Sequence, residues 1–126
     1  AGHESTRIFL RVQVKNDSCP CLVLTTWPAD RPVAPLARAI VEARLAACVH
    51  VAAVGSSTYR WEGAVENAGE QQVVFKTTRA RLAELEAQVR AAHPYALPEW
   101  LVVDVGGGQD YLAWITESVA VVSDAG

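Results

Sequence analysis

The chain has 126 residues, of which 51% are hydrophobic and 20% charged, and its formal net charge is −3. This balance describes one folded domain of self-sufficient size and excludes a disordered tail. Scattered Lys and Arg on an acidic chain exclude a nucleic-acid partner, and no apolar run approaches the ~18 to 20 residues that span a bilayer, so no membrane partner is expected.

The start, Ala1 to Thr6, lacks an initiator Met and the apolar core of a signal peptide, and reads as a processed end or an added remnant. From Arg7 to Lys15, Ile8, Leu10, Val12 and Val14 alternate with polar neighbours, which is the strand period and suits an extra edge strand or a lead-in. Leu22 to Thr26 is a short apolar strand stopped by Trp27-Pro28. Asp30, Pro32 and Pro35 mark a helix entrance, since proline is tolerated in a first turn. Leu36, Ala39, Ile40, Ala43 and Ala47 then fall on one helical face, with Arg38 and Glu42 outside at i,i+4.

Cys48 to Val54 reads as strand, and Gly55-Ser56-Ser57 as a bulge or bend. Thr58 to Glu62 continues the strand, a loop around Asn67-Ala68-Gly69 reverses it, and Gln71 to Thr77 returns, forming a long hairpin. Thr78 is placed to cap the next helix, in which Leu82, Leu85 and Val89 recur at helical spacing. His93-Pro94 ends that helix, because the residue before proline is pushed out of the helical region. Leu97 to Val105 is the fourth core strand, Gly106-Gly107-Gly108 a turn, and Asp110 the expected cap of a final helix bearing Tyr111, Leu112, Ile115 and Val119.

The order β-α-β-β-α-β-α predicts an α+β fold: a ferredoxin-like β-α-β-β-α-β sandwich with a C-terminal helix, its antiparallel sheet covered by two helices on one face. The other face and the edges stay open, and Tyr59, Trp61, Trp100 and Trp114 are more aromatic surface than so small a sheet hides. Self-association through the hairpin follows as the expectation.

Particular strings then resemble the CutA family of divalent-cation tolerance proteins. They are Glu42-Ala43-Arg44-Leu45-Ala46-Ala47-Cys48-Val49, Tyr59-Arg60-Trp61-Glu62-Gly63, Lys76-Thr77-Thr78, His93-Pro94-Tyr95 with Pro98-Glu99, and Tyr111-Leu112-Ala113-Trp114-Ile115. They stand in the family's order over about Leu22 to Val119. The resemblance implies a homotrimer of ferredoxin-like subunits, not an enzyme, that binds copper or other divalent ions weakly at clefts between subunits. It also implies architectural kinship with PII signalling proteins, so a PII-like small-ligand or protein-docking scaffold is the alternative. Residues 1–21 become an N-terminal extension and 22–126 the single domain. The chain departs from the family's proposed copper site, carrying Thr25 where a Cys stands in the first strand and Ala92-His93 where a His-His pair precedes Pro-Tyr.

The candidate metal ligands are therefore His93 and Cys48. His93 also reads as a helix-ending imidazole that complements the dipole, and Cys48 as a packed core thiol. Cys19-Pro20-Cys21 has a one-residue spacing unlike zinc knuckles and reads as an exposed accidental pair. Lys76, Glu99, Tyr59, Trp61, Tyr95 and Trp114 form the expected cleft or interface group, with Lys76 and Glu99 placed to pair across strands or to line a pocket. The expected cofactors are divalent metals such as Cu or Zn, with no organic cofactor. Gly106 to Asp110 matches neither dinucleotide nor P-loop spacing, and Ser56 and Ser57 lack a triad context. Three cysteines are an odd, small number that fits a reducing cytoplasm, and the lack of Met excludes a thioether copper site.

Overall fold

The structure of the chain, a computed structural model, describes residues 18–121. The alternating segment Arg7 to Lys15 lies outside these. Strands β1 (Pro20–Pro28), β2 (Cys48–Val51), β3 (Gly55–Trp61), β4 (Ala64–Thr78) and β5 (Leu101–Asp104) alternate with helices α1 (Ala34–Glu42), α2 (Leu82–Ala92) and α3 (Gln109–Ser118). They form one antiparallel sheet in the order β2-β4-β1-β5, with β3 also paired to β4. This is the α+β ferredoxin-like arrangement with a C-terminal helix.

The core follows from strand alternation. In β1 every second residue, Cys21, Val23, Thr25 and Trp27, is buried, as side chains pointing to one face of a pleat must be. Register sets Val23 opposite Phe75 and Thr25 opposite Val73 of β4. Val33, Ile40, Leu85 and Val89, from the two helical segments, close over that face. Burial of such side chains stabilises by roughly 1.5–3 kcal/mol each. Trp27-Pro28, expected to stop the strand, instead forms its last two residues, where a missing ladder donor is tolerated.

Helix α1 is shorter than the alanine-rich pattern predicts. It ends at Glu42, because Arg44 turns into the left-handed region at φ 60°. Leu45 N–H donates to Ile40 O and Arg44 N–H to Val41 O, each at 3.0 Å, the paired closure that terminates helices at a left-handed residue. The closure turns Leu45 and Ala46 into the core. Ala43 and Ala47 therefore do not extend the helical face, which is carried by Ile40 with Leu36 beside it.

The hairpin also differs from expectation. The reversal is made by Glu62 and Gly63, at φ 49° and 81°, with Trp61 paired to Ala64; two consecutive left-handed residues match the twist of a two-residue hairpin. Asn67, Ala68 and Gly69 sit inside β4, opposite Thr58, Ser57 and Ser56. Gly55 to Ser57 are accordingly strand, and the interruption falls at residues 52–54 instead. β4 is thus fifteen residues long, and only Glu70 to Thr78 pair with β1. The stretch Ala64 to Gly69 and residues 56–61 of β3 project beyond the part of the sheet that pairs with β1.

Three further differences concern the remaining elements. The last strand is confined to Leu101–Asp104; residues 97–100 form a segment tied down where Thr25 Oγ1 donates to Glu99 O at 2.6 Å. Thr78 and Asp110 are not side-chain caps: Thr78 is buried, and the α3 N-cap is Gly108, with Asp110 in the first turn. The second face of the sheet is not wholly open, since α3 packs against β4 and β1. Around α3 remain exposed apolar side chains, namely Leu101, Val103, Tyr111 and Trp114.

The position of the turn is testable. Substituting Gly63 by Val forces a branched side chain to a positive φ and is expected to lower stability by about 1–2 kcal/mol in a denaturant titration. Gly69→Ala, where a Cβ meets only Ala29 Cβ at 3.4 Å, is expected to change it little. The reverse ranking would return the turn to residues 67–69.

Candidate functional site

A groove of about 880 Å³ opens between the projecting hairpin and the segment that follows α2. Tyr59 and Trp61 of β3 form one wall, Tyr95 and Leu97 the other, and Glu70 of β4 and Glu99 line it as well. Alternation along β3 directs Tyr59 and Trp61 to the same side. Tyr95 Oη donates to Glu70 Oε2 at 2.9 Å, which orients the carboxylate. Burial, then this hydrogen bond to Glu70, push the Tyr95 phenol up to about 12. Burial raises the Glu99 carboxyl above the usual carboxylate range, and the neighbouring Glu70 charge raises it further. The groove thus holds two acidic side chains near each other, between aromatic walls.

His93 stands directly behind Tyr95. It is buried, with ring centroids 4.2 Å from Trp27 and 4.9 Å from Tyr95. Its Nε2 is 2.7 Å from Thr26 O, and the Tyr95 N–H donates to Nδ1 at 3.1 Å. A carbonyl can only accept and an amide can only donate, so the ring carries its proton on Nε2 and spends the Nδ1 lone pair on Tyr95. In this arrangement the imidazole ties β1 to the wall of the groove; it neither faces the helix dipole as a cation nor offers a lone pair to a metal.

The remaining residues lie elsewhere. Lys76, expected beside Glu99, is opposite Cys48 on β2 and Leu22 on β1. Its Nζ donates to Tyr111 Oη of α3 at 2.9 Å and lies 5.2 Å from that ring's centre. The phenol is the first cause of its raised pKa, with Cys48 contributing. The Trp114 ring lies tilted against that of Tyr111, with centroids 5.3 Å apart. Cys48, Lys76 and Trp114 therefore belong to the α3 side of the sheet, while Tyr59, Trp61, Tyr95 and Glu99 share the groove. No Lys76–Glu99 ion pair forms among the described residues, because Glu99 is fixed at Thr25 and Lys76 lies toward the other end of β1. Cys19 and Cys21 are not an exposed pair: Cys21 is fully buried, and desolvation pushes its thiol up to about 11. Among the described residues no three or more His, Cys, Asp or Glu side chains converge as a metal site.

Two participants escape the sequence reading. Glu70 does so because a turn placed at residues 67–69 leaves it in a loop; with the reversal at Glu62-Gly63 it falls mid-strand, opposite Pro28 and Gly55. Tyr111 is visible as an apolar helix position, but its hydroxyl contact with Lys76 follows only from how α3 crosses the sheet.

The family model described as CutA1 divalent ion tolerance protein matches residues 21–118. The divalent-cation tolerance protein CutA of Thermus thermophilus is 38% identical over 98 residues, 77% of this chain and 95% of the relative. A solved structure of the Thermus thermophilus protein superposes with a TM-score of 0.76 at 36% identity, covering 80% of this chain and 99% of that one. CutA of Synechococcus elongatus, in a structure described as complexed with a Bis-Tris molecule, gives a TM-score of 0.71 at 40% identity over 79% of this chain and 93% of that one.

The Glu99 carboxyl supplies a pH test. Its folded pKa is raised from the ordinary value of 4.5, so folding takes up a proton between the two values and stability falls as pH climbs through the folded one. Glu99→Gln, which cannot ionise, is expected to flatten the melting temperature against pH in that window. A decline as steep as the parent's would show that Glu99 is not its source.

Proposed function

The chain belongs to the CutA1 divalent ion tolerance protein family, and from that premise we propose that it acts as a homotrimer that binds divalent cations weakly at clefts between subunits, without catalysis. The observation that carries this reading is the exposed apolar surface around α3 together with a hairpin that projects past its own sheet. Leu101, Val103, Tyr111 and Trp114 are each more than 40% exposed, and such surface on a small domain marks an interface. A projecting two-stranded ribbon is marginal alone and gains its third strand or its cover from another copy.

Metal contact belongs at the clefts for a chemical reason. No single chain gathers three or more His, Cys, Asp or Glu among its described residues, whereas Glu70 and Glu99 open onto the groove beside the hairpin, where a second copy would add donors. Cys48, half-buried opposite Lys76, suits a softer ion. His93 would have to give up the Tyr95 N–H to ligate. The folded unit is set from Pro20, where β1 begins, in place of the boundary expected at 22. The odd, small number of cysteines supports a reducing cytoplasm, and no helix among the described residues is long and apolar enough to cross a membrane.

A second reading, a PII-like module for a small ligand, is favoured by the groove itself. Its volume of about 880 Å³ falls in the range of small-molecule sites, and the Synechococcus relative is described as complexed with Bis-Tris.

Light scattering on the full chain at micromolar concentration is expected to give three chains per particle, and Val103→Lys to reduce that mass. A well-behaved single chain would overturn the trimer. Calorimetric titration with Cu²⁺ is expected to show weak binding that Glu70→Gln and Cys48→Ser each reduce several-fold; unchanged isotherms in both would remove these residues from the metal reading.

A further inference from the structure

We propose that in the assembled protein Arg60 of the partner subunit completes the groove, entering it to pair with the carboxyls of Glu70 and Glu99. The inference rests on the homotrimer reading above and names the residue that the next copy contributes.

A closed ring of three identical chains cannot be built from one self-complementary patch. Each copy must present two different surfaces, one of which fits the other on its neighbour. The projecting ribbon carries such a pair, divided by its pleat. Residues directly opposed on two strands share a side, so Tyr59 with Glu66 and Trp61 with Ala64 face one way, toward the groove. Arg60 with Val65 and Thr58 with Asn67 face the other way. The groove side is acidic through Glu70 and Glu99, while the reverse side carries the single charge of Arg60 in those two pairs. A neighbour that settles on the groove with the reverse side of its own ribbon therefore brings a cation to the acids.

Covering the groove makes that cation necessary. Two carboxyls shielded from water by another copy are costly without a positive partner, and the charge of Glu70 already raises Glu99. No Lys, Arg or His of the same chain lines the groove, so the cation comes from the copy that covers it. Among the described residues, Arg38, Arg79, Arg81 and Arg90 each form an ion pair within their own chain. Lys76 and Arg44 donate to Tyr111 Oη and Ser118 O. Arg31 and Arg60 have no such contact there. Arg31 follows β1, where its carbonyl accepts from Gln71; Arg60 stands next to the tip of the ribbon, exposed, on the element that reaches past its own sheet. Its planar fork can meet two carboxylates at once, and the ring faces of Tyr59 and Trp61 favour a guanidinium beside them. A resident guanidinium on the acid pair also fits weak binding of divalent ions at the same place.

The test follows the full chain by light scattering in urea, at low and high salt, and by calorimetric titration with Cu²⁺. Arg60→Gln is expected to lower the urea concentration at which the particle dissociates, to flatten its dependence on salt, and to strengthen Cu²⁺ binding by roughly 3- to 10-fold as the acids are freed. Arg60→Lys keeps the charge and is expected to retain most of the salt dependence. Placed in a chain that already carries Glu70→Gln and Glu99→Gln, Arg60→Gln is expected to add little, since its partners are gone. Equal effects of Arg60→Gln in both backgrounds would assign it a role apart from the carboxyls and overturn the inference. So would effects that follow Arg31→Gln in place of Arg60→Gln. If the unaltered chain is a single chain in solution, the homotrimer reading falls and takes this inference with it. Three chains per particle with no coupling between Arg60 and the two glutamates remove the inference alone.

Discussion

The length of β4 governs the rest of the molecule. It runs for fifteen residues where its central neighbour β1 has nine, so an antiparallel partner is missing along the stretch from Ala64 to Gly69 on one side. On the other side two separate strands, β2 and β3, share its length. From this mismatch come the projecting ribbon, the wall that carries Tyr59 and Trp61, and the groove between that wall and the segment after α2. A strand cut back to the length of β1 would keep the core of Val23, Val73 and Phe75 and lose the site.

Two hydrogen bonds convert this geometry into a fixed shape. Thr25 Oγ1 holds Glu99 O, and the His93 ring spans Thr26 O and the Tyr95 N–H. Both anchor a segment without regular structure to β1, an inner strand paired along its whole length with β4. The groove therefore has one wall fastened to the core and one wall that is only a two-stranded ribbon. Its acidic pair is divided in the same way, with Glu70 on the long strand and Glu99 on the anchored segment.

Much of the fold is legible in the sequence, because burial of one face imposes a period on side chains. The alternation in β1, the spacing of Leu82, Leu85 and Val89, and the stop at His93-Pro94 each state their element directly. What is not legible depends on local competition between signals. Asn67-Ala68-Gly69 looks more like a turn than Glu62-Gly63 does, yet pairing with Thr58, Ser57 and Ser56 keeps it extended. The alanines after Glu42 favour helix, but the burial of Leu45 and Ala46 favours the left-handed exit at Arg44. In the site, residue types identify Tyr59, Trp61, Tyr95 and Glu99, while their division from Lys76 and Trp114 is a matter of register and of the course of α3. The role of His93 is the least visible. Its partners are a carbonyl and an amide, which every residue carries and no motif records.

The overhang of β4 has a consequence for motion. Amides near Val73 and Phe75 have strands on both sides and exchange with solvent only when the whole domain opens, whereas those near Val65 and Asn67 belong to a ribbon that frays on its own. One continuous strand thus spans the extremes of local stability in the subunit. The side chains of the ribbon wall ride on its less-paired end, so cover that settles against Tyr59 and Trp61, such as another copy, would steady that end of the strand without disturbing the other.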